Sequence, residues 1–218
     1  MKTSCLYDLS HSISGSLLSK FEYPWKALSH IKDFIIEEGK KLPKDKYTMI
    51  KENVWVANSS KISETAFIGE PCIIGENSEV RHCAFIRGSV IIGDNCVVGN
   101  STEMKNSIIF DNVQIPHYNY VGDSILGYKS HLGAGAVTSN VKSDKTLVTV
   151  SSEGEKIATG LKKFGAMVGD GTEVGCNSVL CPGTVIGKNC TIYPLSMVRG
   201  YIKENSIFKN KDNIINKI

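Results

Sequence analysis

An aliphatic side chain recurs at every sixth position of this chain from Val56 onward, with polar or turn-forming residues between. A small residue follows most of these positions four residues later, as Cys72 follows Ile68. Six is neither the helical period nor the strand period, and it predicts a solenoid whose coil is a triangle of three short strands. One aliphatic side chain per strand points into the prism, and stacked coils pair their strands. The clearest such positions are Val56, Ile62, Ile68, Ile74, Val80, Ile86, Ile92, Val98, Met104, Leu126, Leu132, Val168, Val174, Leu180, Ile186, Ile192 and Val198.

The period of six is interrupted first between Pro116 and Tyr120. Phe110 and Pro116 continue the earlier phase and Tyr120 resumes it, so the period predicts that two residues are lost there. The surrounding stretch, residues 114–123, contains His117 and a Gly-Asp turn. A residue at such a slip projects differently from its repeat neighbours, which makes this stretch a candidate active-site corner.

The second interruption is the lysine-rich segment 141–163. Two short β-prone runs, 147–150 and 156–158, flank a predicted turn at 151–155. We expect a hairpin or loop that projects from a coil, and loops on a rigid scaffold often carry functional residues.

The ends of the chain lack the repeat. In the extension, residues 1–52, Pro24 opens a helical pattern that Gly39 ends. We expect its apolar face to pack on the same chain, with a partner subunit or a further domain as the alternative. That face consists of Trp25, Leu28, Ile31, Phe34 and Ile35. The solenoid is expected over residues 53–200, followed by a polar tail, 201–218, with a weak helical pattern that caps the last coil.

Composition narrows the class of protein. A formal net charge of +3 over 218 residues, without a long basic run, argues against nucleic acid as a partner. There is no apolar run long enough to cross a membrane and no signal-peptide pattern, which predicts a cytoplasmic protein. The 7 cysteines contain no Cys-x-x-Cys pair and are interpreted as reduced, buried side chains.

Three segments, 99–107, 115–123 and 132–140, resemble the acetyltransferase domain of bifunctional sugar-1-phosphate nucleotidylyltransferases. The third reads Leu-Gly-Ala-Gly-Ala-Val-Thr-Ser-Asn, and residues 23–25 and 163–166 also look like the archaeal members. The resemblance implies an all-β fold, the left-handed parallel β-helix, and transfer of an acetyl group from acetyl-CoA to an amino-sugar 1-phosphate. It also implies a homotrimer with each site between two prisms.

The same resemblance implies roles for individual residues. His117 matches the catalytic base, and a histidine titrates close enough to neutral pH to accept the proton of an attacking amine. Arg87 and Lys105 match the phosphate-binding pair, with solvated charges as the alternative. Tyr120 matches a substrate-contacting tyrosine, or else fills an inward repeat position. Asn140 and Lys145 match residues of the acetyl and sugar sites, and position alone selects Ala166, Ser178 and Arg199 for coenzyme A.

Spacing within the repeat limits how these residues meet. Arg87 and Lys105 are separated by three full repeats, so they lie one coil apart on one face. His117 follows Lys105 by two repeats and so lies two faces further on. We therefore expect the site to need a second subunit or the projecting loop.

Two alternatives stay open. His131 replaces the asparagine that bacterial relatives carry, which leaves the identity of the sugar open and invites a comparison with zinc-binding carbonic anhydrases of the same solenoid type. The histidines lack the five-residue spacing of those enzymes, so we expect no metal site. The second alternative is a non-catalytic domain that binds a sugar nucleotide or partners a separate nucleotidylyltransferase.

Overall fold

The computed structural model, which describes residues 1–152 and 154–217, confirms the solenoid that the six-residue period predicts. Its strands pair in parallel from one coil to the next, and the fold is the left-handed parallel β-helix. Each coil contributes one strand to each of three faces. The aliphatic repeat positions line the interior: Ile74, Ile86 and Val98 are all at most 1% exposed.

The strands are assigned to the faces by their pairing. Face one contains β2 (Val54–Ala57), β5 (Cys72–Ile74), β8 (Val90–Ile92), β17 (Ala166–Val168), β20 (Thr184–Ile186) and β23 (Tyr201–Ile202). Face two contains β3 (Lys61–Ile62), β6 (Glu79–Val80), β9 (Val97–Asn100), β11 (Gln114–His117), β13 (His131–Leu132), β18 (Glu173–Val174), β21 (Thr191–Ile192) and β24 (Ser206–Asn210). Face three contains β4 (Phe67–Ile68), β7 (Phe85–Ile86), β14 (Val137–Thr138), β19 (Val179–Leu180) and β22 (Met197–Val198). Two longer strands, β10 (Glu103–Ile109) and β12 (Tyr120–Leu126), run around the corner from face three to face one.

Those two corner strands show that the predicted slip between Pro116 and Tyr120 is wrong. Ile74 pairs with Ile92, three full repeats on. Ile86 still pairs with Met104 at three full repeats, whereas Ile92 pairs with Ile109 and Ile109 pairs with Leu126, each one residue short of three repeats. The period therefore loses one residue inside β10 and one inside β12. Each loss follows from a strand that passes through the corner without a separate turn.

The corrected register changes which side chains point inward. Ile109, Ile115 and Val121 are fully buried at the inward positions that had been predicted for Phe110, Pro116 and Tyr120. Phe110 is also buried, but its ring packs 5.1 Å from that of Tyr7 in the N-terminal extension. Tyr120 is only half-buried, because it occupies the slot beside the inward Val121.

The N-terminal extension packs on face one of the solenoid. Its helices are α1 (Thr3–Leu6), α2 (Gly15–Leu18) and α3 (Ile31–Gly39), with 3-10 segments at Leu9–His11 and Pro24–His30. The predicted helix is thus 3-10 in its first half and α-helical in its second. Trp25, Leu28, Ile31 and Ile35 are buried and Phe34 is half-buried, so the apolar face packs on its own chain.

The projecting loop is a hairpin, as predicted. Strand β15 (Thr149–Ser152) pairs antiparallel with β16 (Glu155–Ala158), and the side chains of Val148 and Val150 are buried. Glu153, within the predicted turn, lies outside the described residues.

Both ends of the solenoid are covered by antiparallel strands. Strand β1 (Tyr47–Lys51) pairs with β2 at the N-terminal end. At the other end β23 and β24 add a partial coil, and β25 (Asn213–Asn216) pairs with β24. The tail therefore caps the last coil, but as strands: its predicted helical pattern is wrong, and coil pairing continues past residue 200 to Phe208.

The cysteines are all free, and the prediction that they are buried holds only in part. Cys72, Cys96, Cys181 and Cys190 are buried, and burial raises the pKa of Cys72 and of Cys96 to about 12. Cys5, Cys83 and Cys176 are exposed, because they lie outside the inward repeat positions. Among the residues described, no helix has the length and apolar character needed to cross a bilayer.

Candidate active site

Polar side chains from four of the predicted positions meet where face three turns into face one. Arg87 and Lys105 lie on neighbouring coils of face three, as their spacing predicted, since Glu103 pairs with Phe85 and Met104 with Ile86. On the next coil Tyr120 pairs with Glu103. This places Tyr120 in an outward column, so the alternative of an inward core tyrosine is excluded.

Asp123 is at the centre of this group. Its carboxylate accepts a hydrogen bond from Asn106 Nδ2 at 2.9 Å, accepts a second from Asn140 Nδ2, and lies 3.4 Å from Lys105 Nζ. The residue is 4% exposed, and its backbone has a φ of 49°, in the left-handed region that Asp and Asn tolerate better than most residues. A buried carboxylate with three partners of this kind is held in one orientation.

Tyr120 lies across Gly122 toward the same centre. A methyl group at Gly122 would come within 2.5 Å of the Tyr120 hydroxyl oxygen, so only glycine leaves room for the ring. The hydroxyl accepts a hydrogen bond from Asn140 Nδ2 at 3.2 Å. Burial, and then the neighbouring carboxylates of Asp123 and Glu103, raise the pKa of Tyr120, so the phenol remains a hydrogen-bond donor at neutral pH.

Arg87 is at the exposed edge of the cluster. Its Nη1 lies 2.9 Å from Glu103 Oε1, and this hydrogen bond raises the pKa of the guanidinium. The Arg87 side chain is 47% exposed, whereas that of Lys105 is 18% exposed. Both predicted phosphate ligands are therefore paired with a carboxylate, and Arg87 is the freer of the two.

His117 ends β11 at the corner between faces two and three. Its backbone is fixed, because its N–H donates to Asn119 Oδ1 at 3.0 Å and its carbonyl accepts from Gly135 N at 3.0 Å. The buried Asn119 amide in turn donates to the Gly133 and Ala136 carbonyls of the next coil. The His117 side chain is exposed and makes no hydrogen bond to the described residues of the cluster.

The base of the projecting loop joins the cluster. The Asn140 carbonyl accepts from Phe164 N and the Asp123 carbonyl accepts from Gly165 N, each at 2.9 Å, which closes the loop across the corner. Phe164 is fully buried and stacks on Trp25, with ring centroids 5.7 Å apart. Trp25 of the N-terminal extension therefore supports Phe164, whose N–H binds the Asn140 carbonyl.

The remaining predicted residues lie apart from this cluster. Lys145 is exposed in the loop, where its backbone N–H donates to the Lys142 carbonyl. Ala166 and Ser178 are fully buried, and Ser178 Oγ donates to the Tyr193 carbonyl. Their side chains point into the prism, as small repeat residues do, so the predicted role of these two positions in binding coenzyme A would have to involve their backbone and stays a prediction. Arg199 is exposed and lines a cavity of about 400 Å³.

Sequence reasoning missed three residues of the cluster: Glu103, Asn106 and Asp123. In the parallel pairing of β10 with β12, Lys105 pairs with Gly122, and Asn106 and Asp123 are the next residues along the two strands. A register of 17 residues between β10 and β12 would have predicted that Asn106 and Asp123 are neighbours. A slip of two residues between Pro116 and Tyr120 does not give that register.

No group of three metal-ligating side chains comes together in residues 1–152 and 154–217. His131 lies on face two, where its Nδ1 is 2.8 Å from Glu173 Oε2. It is therefore separated from the cluster by a face of the prism.

Two family models match parts of the chain. Residues 70–162 match the model described as the GMPPB C-terminal domain, and residues 165–200 match the bacterial transferase hexapeptide (six repeats). These matches confirm the resemblance derived from the motifs.

Two curated relatives cover part of the chain. It is 38% identical to the bifunctional protein GlmU of Methanococcus vannielii over 113 residues. The matched segment covers 52% of this chain and 27% of the relative. It is 35% identical to the bifunctional sugar-1-phosphate nucleotidylyltransferase/acetyltransferase of Sulfurisphaera tokodaii over 105 residues. That segment covers 48% of this chain and 26% of the relative. The match spans about a quarter of the length of each relative. Among solved structures, the N-acyltransferase AntD from Bacillus cereus overlays with a TM-score of 0.43 at 18% identity, over 74% of this chain and 81% of AntD.

Proposed function

We propose that this protein is an N-acetyltransferase that moves an acetyl group from acetyl-CoA to the amine of an amino-sugar 1-phosphate, of the glucosamine or galactosamine type. The observation that carries the proposal is the cluster of Arg87, Lys105, Tyr120 and Asn140 around Asp123. Similarity to relatives whose names include acetyltransferase activity supports the same assignment.

The cations of the cluster fit a phosphate monoester. Arg87 offers a planar fork that suits two phosphate oxygens, and Lys105 offers a point charge beside it. Because Arg87 is the more exposed of the two and is paired with Glu103 at the surface, its guanidinium can exchange the carboxylate for the phosphate.

The reaction needs one proton to be removed. The sugar amine attacks the thioester carbonyl, the C–N bond forms, the C–S bond breaks, and the leaving thiolate takes up a proton to become coenzyme A. His117, exposed at the neighbouring corner, is the proposed base that takes the proton from the amine and returns it to the thiolate. Backbone N–H groups are the simplest donors for the transient oxyanion.

The coenzyme A end is proposed to lie at the cavity of about 400 Å³ between the loop base and face three. Lys142 and Arg199 both line it, and two cations beside an open cavity suit the phosphates of coenzyme A. Val179 and Pro182 provide apolar surface for the pantetheine chain.

We propose that the protein acts as a homotrimer in which a second prism completes the site. The support is that the His117 side chain makes no hydrogen bond or ion pair to the described residues of the cluster within one chain, although the loop base brings Asn140 into it. A stable monomer with full activity in light scattering and turnover assays would contradict this arrangement.

The test is thiol release from acetyl-CoA with glucosamine 1-phosphate, galactosamine 1-phosphate and the same sugars without phosphate. Turnover with a phosphorylated sugar, and a KM for the unphosphorylated sugar at least about tenfold higher, is expected from the loss of a charge-assisted contact. Absence of thiol release with every amino sugar would overturn the proposal. Co-purification of a separate nucleotidylyltransferase with an otherwise inert chain would favour the non-catalytic alternative instead.

A further inference from the structure

The Asn140 amide is held by two hydrogen bonds, and both use the same nitrogen. Nδ2 donates to the carboxylate of Asp123 and, at 3.2 Å, to the hydroxyl oxygen of Tyr120. An amide nitrogen has two N–H groups, so both donors of Asn140 are used. The amide oxygen receives no hydrogen bond from the described residues.

That oxygen is open to solvent. Asn140 is half-buried, and among the described residues the only fully buried side-chain polar atom without a partner is Ser130 Oγ. Asn140 Oδ1 is therefore accessible and presents an acceptor at the surface of the cluster. The Tyr120 hydroxyl, which accepts from Asn140, has its own proton left to donate.

Asp123 decides which end of the amide faces the protein. A phenol accepts or donates equally well, so Tyr120 alone would allow either orientation of the Asn140 amide. An ionised carboxylate can only accept hydrogen bonds. If the amide oxygen of Asn140 were turned toward it, two acceptors would face each other with no proton between them. Lys105 at 3.4 Å and Asn106 at 2.9 Å hold the carboxylate itself in place.

We propose that Asp123 is a positioning residue that fixes Asn140 as an acceptor and Tyr120 as a donor toward the substrate. The pair then binds a group that carries an N–H or O–H next to an acceptor oxygen, as the amine and neighbouring hydroxyl of an amino sugar do. This inference deepens the proposed function and rests on it for the identity of the ligand, but the orientation of the amide is a property of the protein alone.

The orientation is tested first without substrate, by hydrogen exchange of the Asn140 side-chain amide in NMR spectra. Asn140→Ala identifies the signal. We expect protection from exchange in the wild type, loss of protection in Asp123→Asn, and no change in the control Asp170→Asn. Asparagine tolerates the left-handed backbone at position 123, so this variant retains the corner. An amide that exchanges freely in the wild type would overturn the inference.

The consequence for binding is tested by turnover of the amino-sugar phosphate. Asp123→Asn is expected to raise KM about tenfold, because an amide at position 123 permits both orientations of Asn140. In Asn140→Ala the further change Asp123→Asn should then raise KM less than about twofold. If the KM increases of Asp123→Asn and Asn140→Ala multiplied fully in the double variant, Asp123 would not act through Asn140. An equal KM increase in Asp170→Asn would contradict that role as well.

These two tests separate the inference from the proposed function. A wild type that shows no thiol release with any amino sugar removes the proposed function, while a protected amide that depends on Asp123 retains the inference about the protein. An active wild type whose amide protection and KM are unchanged in Asp123→Asn removes the inference and leaves the function.

Discussion

Two aspartates are buried at different corners of the prism, and each is paired with a lysine. Asp170 is 8% exposed and lies 3.0 Å from Lys188 Nζ; Asp123 is 4% exposed and lies 3.4 Å from Lys105 Nζ. They differ in their other partners. The Asp170 carboxylate accepts from backbone N–H groups, those of Asp8 at 2.7 Å and Tyr128 at 2.9 Å.

The partners show what each aspartate does. Asp170 joins the N-terminal extension to two coils, so its hydrogen bonds contribute to stability. Asp123 holds the side chains of Asn106 and Asn140, which leaves the backbone of its corner to other contacts. Loss of a buried partner of this kind costs about 1–3 kcal/mol in either case. The difference predicts that changes near Asp170 lower the melting temperature without altering KM, and that changes near Asp123 also alter turnover.

The largest separation between turnover and stability is expected for His117→Ala. Loss of a general base lowers kcat by about 10²–10⁴. The melting temperature should change little, because the side chain is exposed and its backbone contacts remain. The matched control is His82→Ala, an exposed histidine at the same corner that bonds Thr65. A similar loss of kcat in both variants would contradict the assignment of the base.

Trp25→Ala is expected to affect both stability and turnover, because Trp25 connects the extension to the loop base. It is 1% exposed and stacks on Phe164, whose N–H holds the Asn140 carbonyl. Truncation of a buried tryptophan costs about 3–5 kcal/mol in the free energy of unfolding, measured by denaturant titration. Below the unfolding transition KM should also rise; an unchanged KM would show that the extension does not position the loop base.

A pair of glycine substitutions sharpens the comparison. In Gly122→Ala the new methyl meets Tyr120 Oη at 2.5 Å, and in Gly127→Ala it meets Asp170 Oδ1 at 2.6 Å. Overpacking of this size costs about 1–3 kcal/mol. We expect a KM increase of about tenfold in Gly122→Ala, and a lower melting temperature with unchanged KM in Gly127→Ala. An unchanged KM in Gly122→Ala together with a raised KM in Gly127→Ala would contradict the roles that we give to the two regions.

The smallest effect is expected for Glu103→Gln, which frees Arg87 from a surface ion pair. Such pairs contribute about 0–1 kcal/mol, so the KM for the phosphorylated sugar should fall by at most about fivefold, and less at high salt. Glu79→Gln, which breaks the 3.1 Å pair with Arg81, is the control on the other side of a corner. A rise in KM in Glu103→Gln would mean that the carboxylate itself contacts the substrate.

The sequence predicted the solenoid well because its signal is repeated. Ile74, Ile86 and Val98 each fill the same inward slot, so errors at single positions do not matter. The prediction failed where the structure departs from repetition: one residue is lost inside β10 and another inside β12, and Phe110, which is in phase, packs outward against Tyr7.

The cluster could be predicted only in part for the same reason. Arg87 and Lys105 precede the first loss, and their spacing placed them correctly. Asp123 follows the first loss, so its partner Asn106 cannot be found with a constant period of three repeats per coil. Asn140 reaches the cluster through the loop base and Phe164, a contact across the chain that no local pattern encodes.

Product analysis tests the central claim most directly. Glucosamine 1-phosphate or galactosamine 1-phosphate is incubated with acetyl-CoA and the wild-type protein, and the sugar is examined by mass spectrometry and NMR. We predict one added acetyl group on the sugar nitrogen, with His117→Ala forming far less of this product. A sugar that remains unmodified, or that carries the acetyl group on oxygen, would contradict the account.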